Sequence, residues 1–228
     1  MNRPLLVTDC DEVLLHMIGH FADWVAEAHG LSFDLAAPGF AEALRGADGR
    51  PLAPDRIWPL LGGFFEREMH RQNVVPGAVE ALAAIGEQAD IVILTNIGDE
   101  YEAGRIEQLE RFGIRHRVLC NRGGKGKPLR ELVESMRPSA AVFVDDLAVH
   151  LESAAEQAPE VWRLHMIAEP RLAAHMPPSP FAHARIDDWR GATPWILARM
   201  DEGPAPEAGP GLESGRHFGR AARLETEE

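Results

Sequence analysis

Three short stretches of the chain are continuously apolar, and each one ends in polar residues. They cover residues 5–7, 91–94 and 140–144, and segments with helical periodicity separate them. Unbroken apolar runs of this length are typical of strands buried on both faces, as in a parallel sheet covered by helices. The alternation of strands and helices therefore predicts an α/β fold with a doubly wound parallel sheet.

Side chains that can bind metal or phosphate follow all three runs directly. In chain order these residues are Asp9 and Asp11, Thr95 and Asn96, and Asp145 and Asp146. In doubly wound sheets, ligands bind outside the carboxyl ends of the strands, where these residues would meet. Grouped carboxylates repel one another unless a cation lies between them, and Mg²⁺ prefers oxygen ligands. We therefore expect Mg²⁺ as a cofactor.

An isolated Asp-x-Asp pair such as Asp9 and Asp11 more often caps a helix than binds a metal. Here three strand ends and two lysines, Lys125 and Lys127 in a glycine-rich turn, point to one edge of the sheet. This combination suits phosphoryl transfer. A carboxylate attacks phosphorus, cationic groups and other donors hold the phosphate oxygens, and a second carboxylate transfers the proton.

The periodicity also predicts the division of the chain. Residues 1–14 and 73–200 carry the strand and helix patterns of the core, whereas residues 15–72 form a helical insert after the first strand. Residues 201–228 contain seven acids, three arginines and several Gly and Pro residues, so we expect a disordered tail.

Composition excludes several functions. The net charge of −13 argues against nucleic-acid binding, and no apolar run is long enough for a membrane helix. The N-terminus lacks the layout of a signal peptide, and Cys10 and Cys120 lack metal-site spacing, so we expect a cytoplasmic protein without disulfides. The insert has five arginines, no lysine and eight acids, which favours a small phosphorylated metabolite as the partner. The oligomeric state is left open.

The ordered motifs resemble those of the haloacid dehalogenase (HAD) superfamily of phosphohydrolases, over about residues 5–167. The resemblance implies that Asp9 is the nucleophile and that Asp11 is the general acid and base, with its backbone carbonyl on the metal. It further implies that Thr95 binds phosphate and that Asp145 and Asp146 bind Mg²⁺. An insert directly after the first motif is where family members of the C1 type carry a helical cap.

The sequence departs from the family pattern at several positions. Glu12 replaces a frequent Gly, so the turn after Asp11 is expected to form without free access to positive φ. His150 stands where Asp or Asn is frequent. Lys125 and Lys127 both fit forms of the third motif, with Lys125 preferred. Asp11, rather than Tyr, argues against the dehalogenase branch.

A different class of function remains open from the sequence. A receiver-like module would use a similar acidic pocket to accept or bind phosphate without turnover. In receivers, however, the lysine ends the last strand, whereas here both lysines precede the strand that ends in Asp145. A non-catalytic HAD-like scaffold is also compatible with the residue types.

Overall fold

A six-stranded sheet organises the protein, of which the computed structural model describes residues 2–37 and 40–206. The eight strands of this part of the chain are β1 (Leu5–Thr8), β2 (Ser32–Phe33), β3 (Leu44–Arg45), β4 (Asp90–Thr95), β5 (Arg117–Cys120), β6 (Ala141–Asp145), β7 (Trp162–His165) and β8 (Ala184–Arg185). All strands of the large sheet run parallel in the order β5-β4-β1-β6-β7-β8, while β2 and β3 form a separate antiparallel pair. The predicted α/β fold is confirmed.

Helices cover both faces of this sheet and fill the insert. They are α1 (Ile18–His29), α2 (Phe40–Ala43), α3 (Pro54–Arg67), α4 (Ala78–Gly86), α5 (Glu102–Arg111), α6 (Gly126–Met136), α7 (Ala148–Gln157), α8 (Pro170–Ala173) and α9 (Trp189–Glu202). Among the described residues, no helix combines the length and the apolarity required to cross a bilayer.

Alternate side chains of the central strands enter two different cores. Leu5 and Val7 pack with α6 and α7 on one face, whereas Leu6 packs with α4 and α9 on the other. The same alternation runs through β4 and β6. Since both faces are buried, the central positions of these strands are apolar on both sides, and this explains the unbroken runs in the sequence.

The sheet register brings the polar strand ends together. β1 lies between β4 and β6, with Thr8 opposite Ile93 and Val144. The Asp9 N–H continues the ladder by donating to the Val144 carbonyl at 2.8 Å. Residues just beyond the carboxyl ends of these three strands therefore share one small volume.

The insert between β1 and α4 has its own core. Phe21 on α1 and Phe64 on α3 pack edge to face with ring centroids 5.6 Å apart, at the centre of an aromatic cluster. Ile97 and, more peripherally, Cys120 of the main domain pack in the same cluster. The insert therefore lies directly over the carboxyl ends of β4 and β5. Its β2–β3 pair was not predicted, because two-residue strands leave no alternating pattern.

The C-terminal part differs from the sequence-based expectation in two ways. The unpredicted β8 and α8 lie in the Pro-rich stretch, where four or fewer residues make each element. Helix α9 continues to Glu202, and Ala205 is buried and donates its N–H to the Glu160 carbonyl at 2.8 Å. The prediction of a disordered tail from residue 201 is therefore wrong for residues 201–206. Residues 207–228 lie outside the described residues.

Gly126 permits the closest approach between two helices of the core. A Cβ at this position would lie 2.0 Å from the backbone carbonyl oxygen of Ser153 on α7. The Gly126 N–H also donates to the Ser153 hydroxyl at 3.0 Å, at the start of α6. The glycine after Lys125 thus seats the first turn of α6, and with it the lysine, against α7.

We predict that Gly126→Ala lowers the free energy of unfolding by about 3 kcal/mol or more, because backbone must move to admit the methyl group. Gly104→Ala is the matched control, since its nearest contact would be the flexible Met69 side chain at 3.8 Å. The control should be neutral or slightly stabilising in helix α5. Urea unfolding measures both, and equal stabilities for the two variants would contradict the packing assignment.

Candidate active site

Lys125 holds two carboxylates together at the carboxyl edge of the sheet. Its ammonium nitrogen lies 2.6 Å from Asp9 Oδ1 and 2.7 Å from Asp145 Oδ2, and its side chain is fully buried. Lys127, the alternative in the sequence, lies outside the site. Its side chain is 83% exposed and 4.0 Å from Glu131, because residue 127 falls on the outer face of α6.

Asp145 is held on both oxygens. Besides Lys125 on Oδ2, its Oδ1 accepts the Leu147 N–H at 2.9 Å and lies 3.0 Å from His150 Nδ1. The Asn96 amide lies 3.1 Å from His150 Nε2, so Nε2 accepts that bond and Nδ1 carries the proton given to Asp145. The departure at residue 150 therefore has a structural consequence, because the His150 ring orients Asp145.

Asp146 is the carboxylate of this cluster that has no partner among the described residues. Its side chain forms no hydrogen bond or ion pair with any described residue, although the residue is only 8% exposed. One oxygen each from Asp9, Asp145 and Asp146 lie within 4.8 Å of one another. Such a set of buried oxygen donors fits a hard divalent cation such as Mg²⁺.

Burial and mutual repulsion give the three carboxyl groups of the cluster different pKa values. Burial, only partly offset by Lys125, raises the pKa of Asp9 to about 6. Burial and then repulsion by Asp145 and Asp9 raise the pKa of Asp146 well above its usual range. Burial would raise the pKa of Asp145 too, but Lys125 and His150 outweigh it and bring that pKa to about 2. The metal-free site is thus poorly balanced for negative charge at neutral pH.

The residues after β4 take different parts in the site. The Thr95 hydroxyl is buried and has no hydrogen-bond partner in the described part of the chain, so it is available to an oxygen of a ligand. The Asn96 amide is already engaged, since its nitrogen donates to the Gly123 carbonyl at 2.8 Å and its oxygen accepts from Asn121 at 2.8 Å. Asn96 therefore fixes the turn that carries Lys125.

Asp11 lies outside the carboxylate cluster and has two partners of its own. Its Oδ2 accepts from Arg105 Nη2 at 3.0 Å, and its Oδ1 accepts from Gln72 Nε2 at 2.6 Å. Burial would lower the pKa of Arg105, but Asp11 and Cys10 outweigh it and raise that pKa. Asp11 is thus set apart from Asp9 both in position and in environment.

Glu12 corrects an expectation about the turn after Asp11. It adopts a positive φ of 59°, the conformation to which a residue with a side chain was expected to lack free access. Its buried carboxylate accepts the Met17 N–H at 2.7 Å and the Ile18 N–H at 2.6 Å, at the start of α1. These two bonds hold the strained backbone and attach the first insert helix to the turn after Asp11.

Arg105, Gln72 and the capping role of Glu12 were not predicted from the sequence. Arg105 lies on the buried face of α5 with Gln108 and Leu109, at helical spacing. A charged residue in that pattern was an available signal. Gln72 left none, because it ends the insert and meets Asp11 across a separation of 61 residues.

No protein-family model and no curated protein matches the sequence, so similarity is found among solved structures alone. The HAD-superfamily hydrolase of subfamily IA, variant 1, from Geobacter sulfurreducens is 18% identical with a TM-score of 0.56, covering 85% of this chain and 96% of that one. YfnB from Bacillus subtilis, assigned as a HAD-hydrolase and bound to magnesium, is 12% identical with a TM-score of 0.60, covering 86% and 99%.

A third neighbour is a predicted phosphoglycolate phosphatase from Haemophilus somnus. It is 12% identical with a TM-score of 0.54, and the match covers 84% of this chain and 96% of that one. At these identities the likeness concerns the fold. The chain therefore has the fold of the HAD superfamily of hydrolases, as the sequence motifs indicated.

We predict that Glu12→Gly destabilises the protein despite relieving the positive φ. Glycine gains about 1 kcal/mol of backbone relief, but two buried N–H groups lose their acceptor at about 1–3 kcal/mol each. Arg137→Gly is the control, because Arg137 also has positive φ, 48°, and ends a helix. That variant should be neutral or stabilising in urea unfolding; the same response at both positions would contradict the role given to Glu12.

We further predict that the metal-free site loses stability as pH rises. Asp9 and Asp146 bind protons more tightly in the folded state, so their contribution is greatest below about pH 4 and falls as pH rises through 6. Asp145 titrates below this window. Unfolding in EDTA between pH 4.5 and 7 should show a smaller loss for Asp146→Asn than for the parent, and identical pH dependence would contradict the assignment.

Proposed function

We propose that this protein is a Mg²⁺-dependent hydrolase of phosphomonoesters of small metabolites, acting through a phosphoryl group on Asp9. The observation that carries the proposal is the buried group of three carboxylates, two of them paired with Lys125, at the carboxyl ends of β1 and β6. When all four side chains are ionised, three negative charges against one positive leave a net charge of −2. One divalent cation neutralises this charge.

The donor set fits Mg²⁺ because it consists of carboxylate oxygens and includes Asp146, which no described residue engages. Asp9 and Asp146 would hold the ion. Asp145 would not bind the ion directly, since both of its oxygens already bind Lys125, His150 and the Leu147 N–H. When bound, Mg²⁺ would neutralise the charge that develops on the phosphoryl oxygens.

In the first step, a carboxylate oxygen of Asp9 bonds to phosphorus while the bond from phosphorus to the ester oxygen breaks. Asp11 gives its proton to the departing oxygen. In the second step, water attacks phosphorus and gives a proton to Asp11, and the bond between Asp9 and phosphorus breaks to release phosphate. Two steps on one carboxylate pair thus account for complete hydrolysis.

Two groups are suited to hold the transferred phosphoryl group. Lys125 has three N–H donors and uses two of them on Asp9 and Asp145, so one remains for a phosphate oxygen. The unpartnered Thr95 hydroxyl is the second donor. Both are buried, and in such surroundings hydrogen bonds to developing charge are worth more than in water.

Residues 15–72 serve in this proposal as a C1-type cap that controls access to the site. Their apolar cluster continues onto Ile97 and Cys120 beside the strand ends, and this cover would exclude water during the reaction. An apolar cover with few cationic groups suits a small monophosphate. The neighbour predicted to be a phosphoglycolate phosphatase is consistent with that substrate class.

We predict that Asp9→Asn reduces phosphatase activity to the background level, because the amide cannot act as the nucleophile. The control is Asp90→Asn, an exposed acid at the opposite end of the sheet that pairs with Arg3. An aryl phosphate and a panel of metabolite phosphates are assayed with Mg²⁺ and with EDTA. The parent and the control should be active only with Mg²⁺.

Hydrolysis that survives in Asp9→Asn would contradict the proposal. If no phosphate in the panel is hydrolysed although Mg²⁺ raises the melting temperature of the parent, the protein is instead a binding module with a HAD fold. An undiminished Mg²⁺ response in both Asp145→Asn and Asp146→Asn would place the metal elsewhere.

A further inference from the structure

Asp11 is held between a donor from the main domain and a donor from the insert. Arg105 on α5 binds Oδ2 at 3.0 Å, and Gln72, at the end of the insert, binds Oδ1 at 2.6 Å. Each oxygen therefore has one directed partner. Two donors on opposite oxygens fix the rotation of a carboxylate as well as its position.

Both donors are themselves held in place. Arg105 is fully buried, donates to Cys10 Sγ at 3.3 Å, and stacks 5.6 Å above the centre of the Phe65 ring of the insert. Gln72 is also buried, and Gln108, one turn after Arg105, donates to the Met69 carbonyl and lies 3.5 Å from Gln72 Oε1. One face of α5 thus reaches Asp11 both directly and through the insert.

A fully buried guanidinium is costly, and replacing a buried ion pair by well-packed apolar side chains is often neutral or stabilising. Asp11 is the sole acidic group within ion-pair distance of Arg105 in the described ranges. The Asp11 side chain itself is 15% exposed, so part of it remains open to solvent. A second lone pair remains on each oxygen for proton transfer.

We propose that Arg105 and Gln72 are positioning residues that aim the Asp11 carboxylate at the leaving group, so that proton transfer depends on the docked insert. This inference rests on the proposed function, in which Asp11 is the general acid and base. Since Gln72 belongs to the insert and Arg105 to the main domain, the orientation of Asp11 is complete only when both parts are in contact.

The first test compares two classes of leaving group in Gln72→Met, which keeps the size of the side chain and removes its donor. An alkyl phosphate needs a proton on its leaving oxygen, whereas a nitrophenyl phosphate does not. General acid–base catalysis is worth about 10²- to 10⁴-fold, so we expect kcat/KM on the alkyl ester, which reports only the transfer to Asp9, to fall about 10- to 100-fold. On the nitrophenyl ester it should fall less than about 3-fold.

The second test combines Gln72→Met with Asp11→Asn. If Gln72 acts through Asp11, the double variant should be no slower than Asp11→Asn alone on the alkyl ester. Multiplication of the two losses, or equal losses on both esters in Gln72→Met, would overturn the positioning role. Asp9→Asn separates a failure of the positioning role from a failure of the proposed function. If this variant retains activity, the proposed function itself is wrong.

Arg105→Lys is the companion variant, and it should show the same selective loss. Its matched control is Arg163→Lys, a buried arginine that donates to the Phe181, Pro159 and Val161 carbonyls far from Asp11. The control should lose stability with no change in the ratio of the two activities. If Arg105→Lys does not fold, Gln72→Met carries the test.

Crystal structures of the variants give a result that does not depend on activity. In Gln72→Met the Asp11 carboxylate should rotate away from its position in the parent, because one of its two directed partners is gone. A carboxylate that stays in place in both Gln72→Met and Arg105→Lys would overturn the proposal, whatever the kinetics.

Discussion

The contact on which the rest of the site depends is the buried ammonium of Lys125 between Asp9 and Asp145. Without it, three carboxylates would share a volume from which water is largely excluded, and their repulsion would oppose folding. With it, Asp9 keeps one oxygen engaged and Asp145 becomes part of the support, leaving Asp146 free for a cation. The different roles of the three acids therefore depend on this single lysine.

The fold delivers that lysine through packing rather than through the sheet. Lys125 lies at the N-terminus of α6, and Gly126 lets this helix approach the backbone of α7 at Ser153. The same α7 supplies His150, which orients Asp145 from its other side. The close contact between α6 and α7 thus sets the distance between the cation and the acid that it neutralises.

The position of the site could be predicted from the sequence because strand ends are encoded locally. Apolar runs buried on both faces mark β1, β4 and β6, and parallel pairing then places Asp9, Thr95 and Asp145 at one edge. Local sequence could not choose firmly between Lys125 and Lys127, since both lie in the same glycine-rich turn. The phase of α6 decides between them, and it depends on which face meets α7.

Contacts between residues far apart in the chain could not be predicted from the sequence. The partners of Asp11 come from positions 72 and 105, and only the docking of the insert brings them together. Glu12 shows a related effect, because its positive φ is stabilised by two N–H groups of the insert rather than by a preference of the residue itself. Short elements such as β8 were missed since two residues carry no periodicity.

The central claim is that phosphate is transferred to Asp9, and trapping the phosphoryl group tests it most directly. In Asp11→Asn the second step loses its base, so acid quenching during turnover of a ³²P-labelled aryl phosphate should leave label on the protein. Peptide mapping should locate the label on Asp9, and the label should be absent when Asp9→Asn is added. Hydrolysis by the parent without any labelled Asp9 in the Asp11→Asn variant would contradict the account.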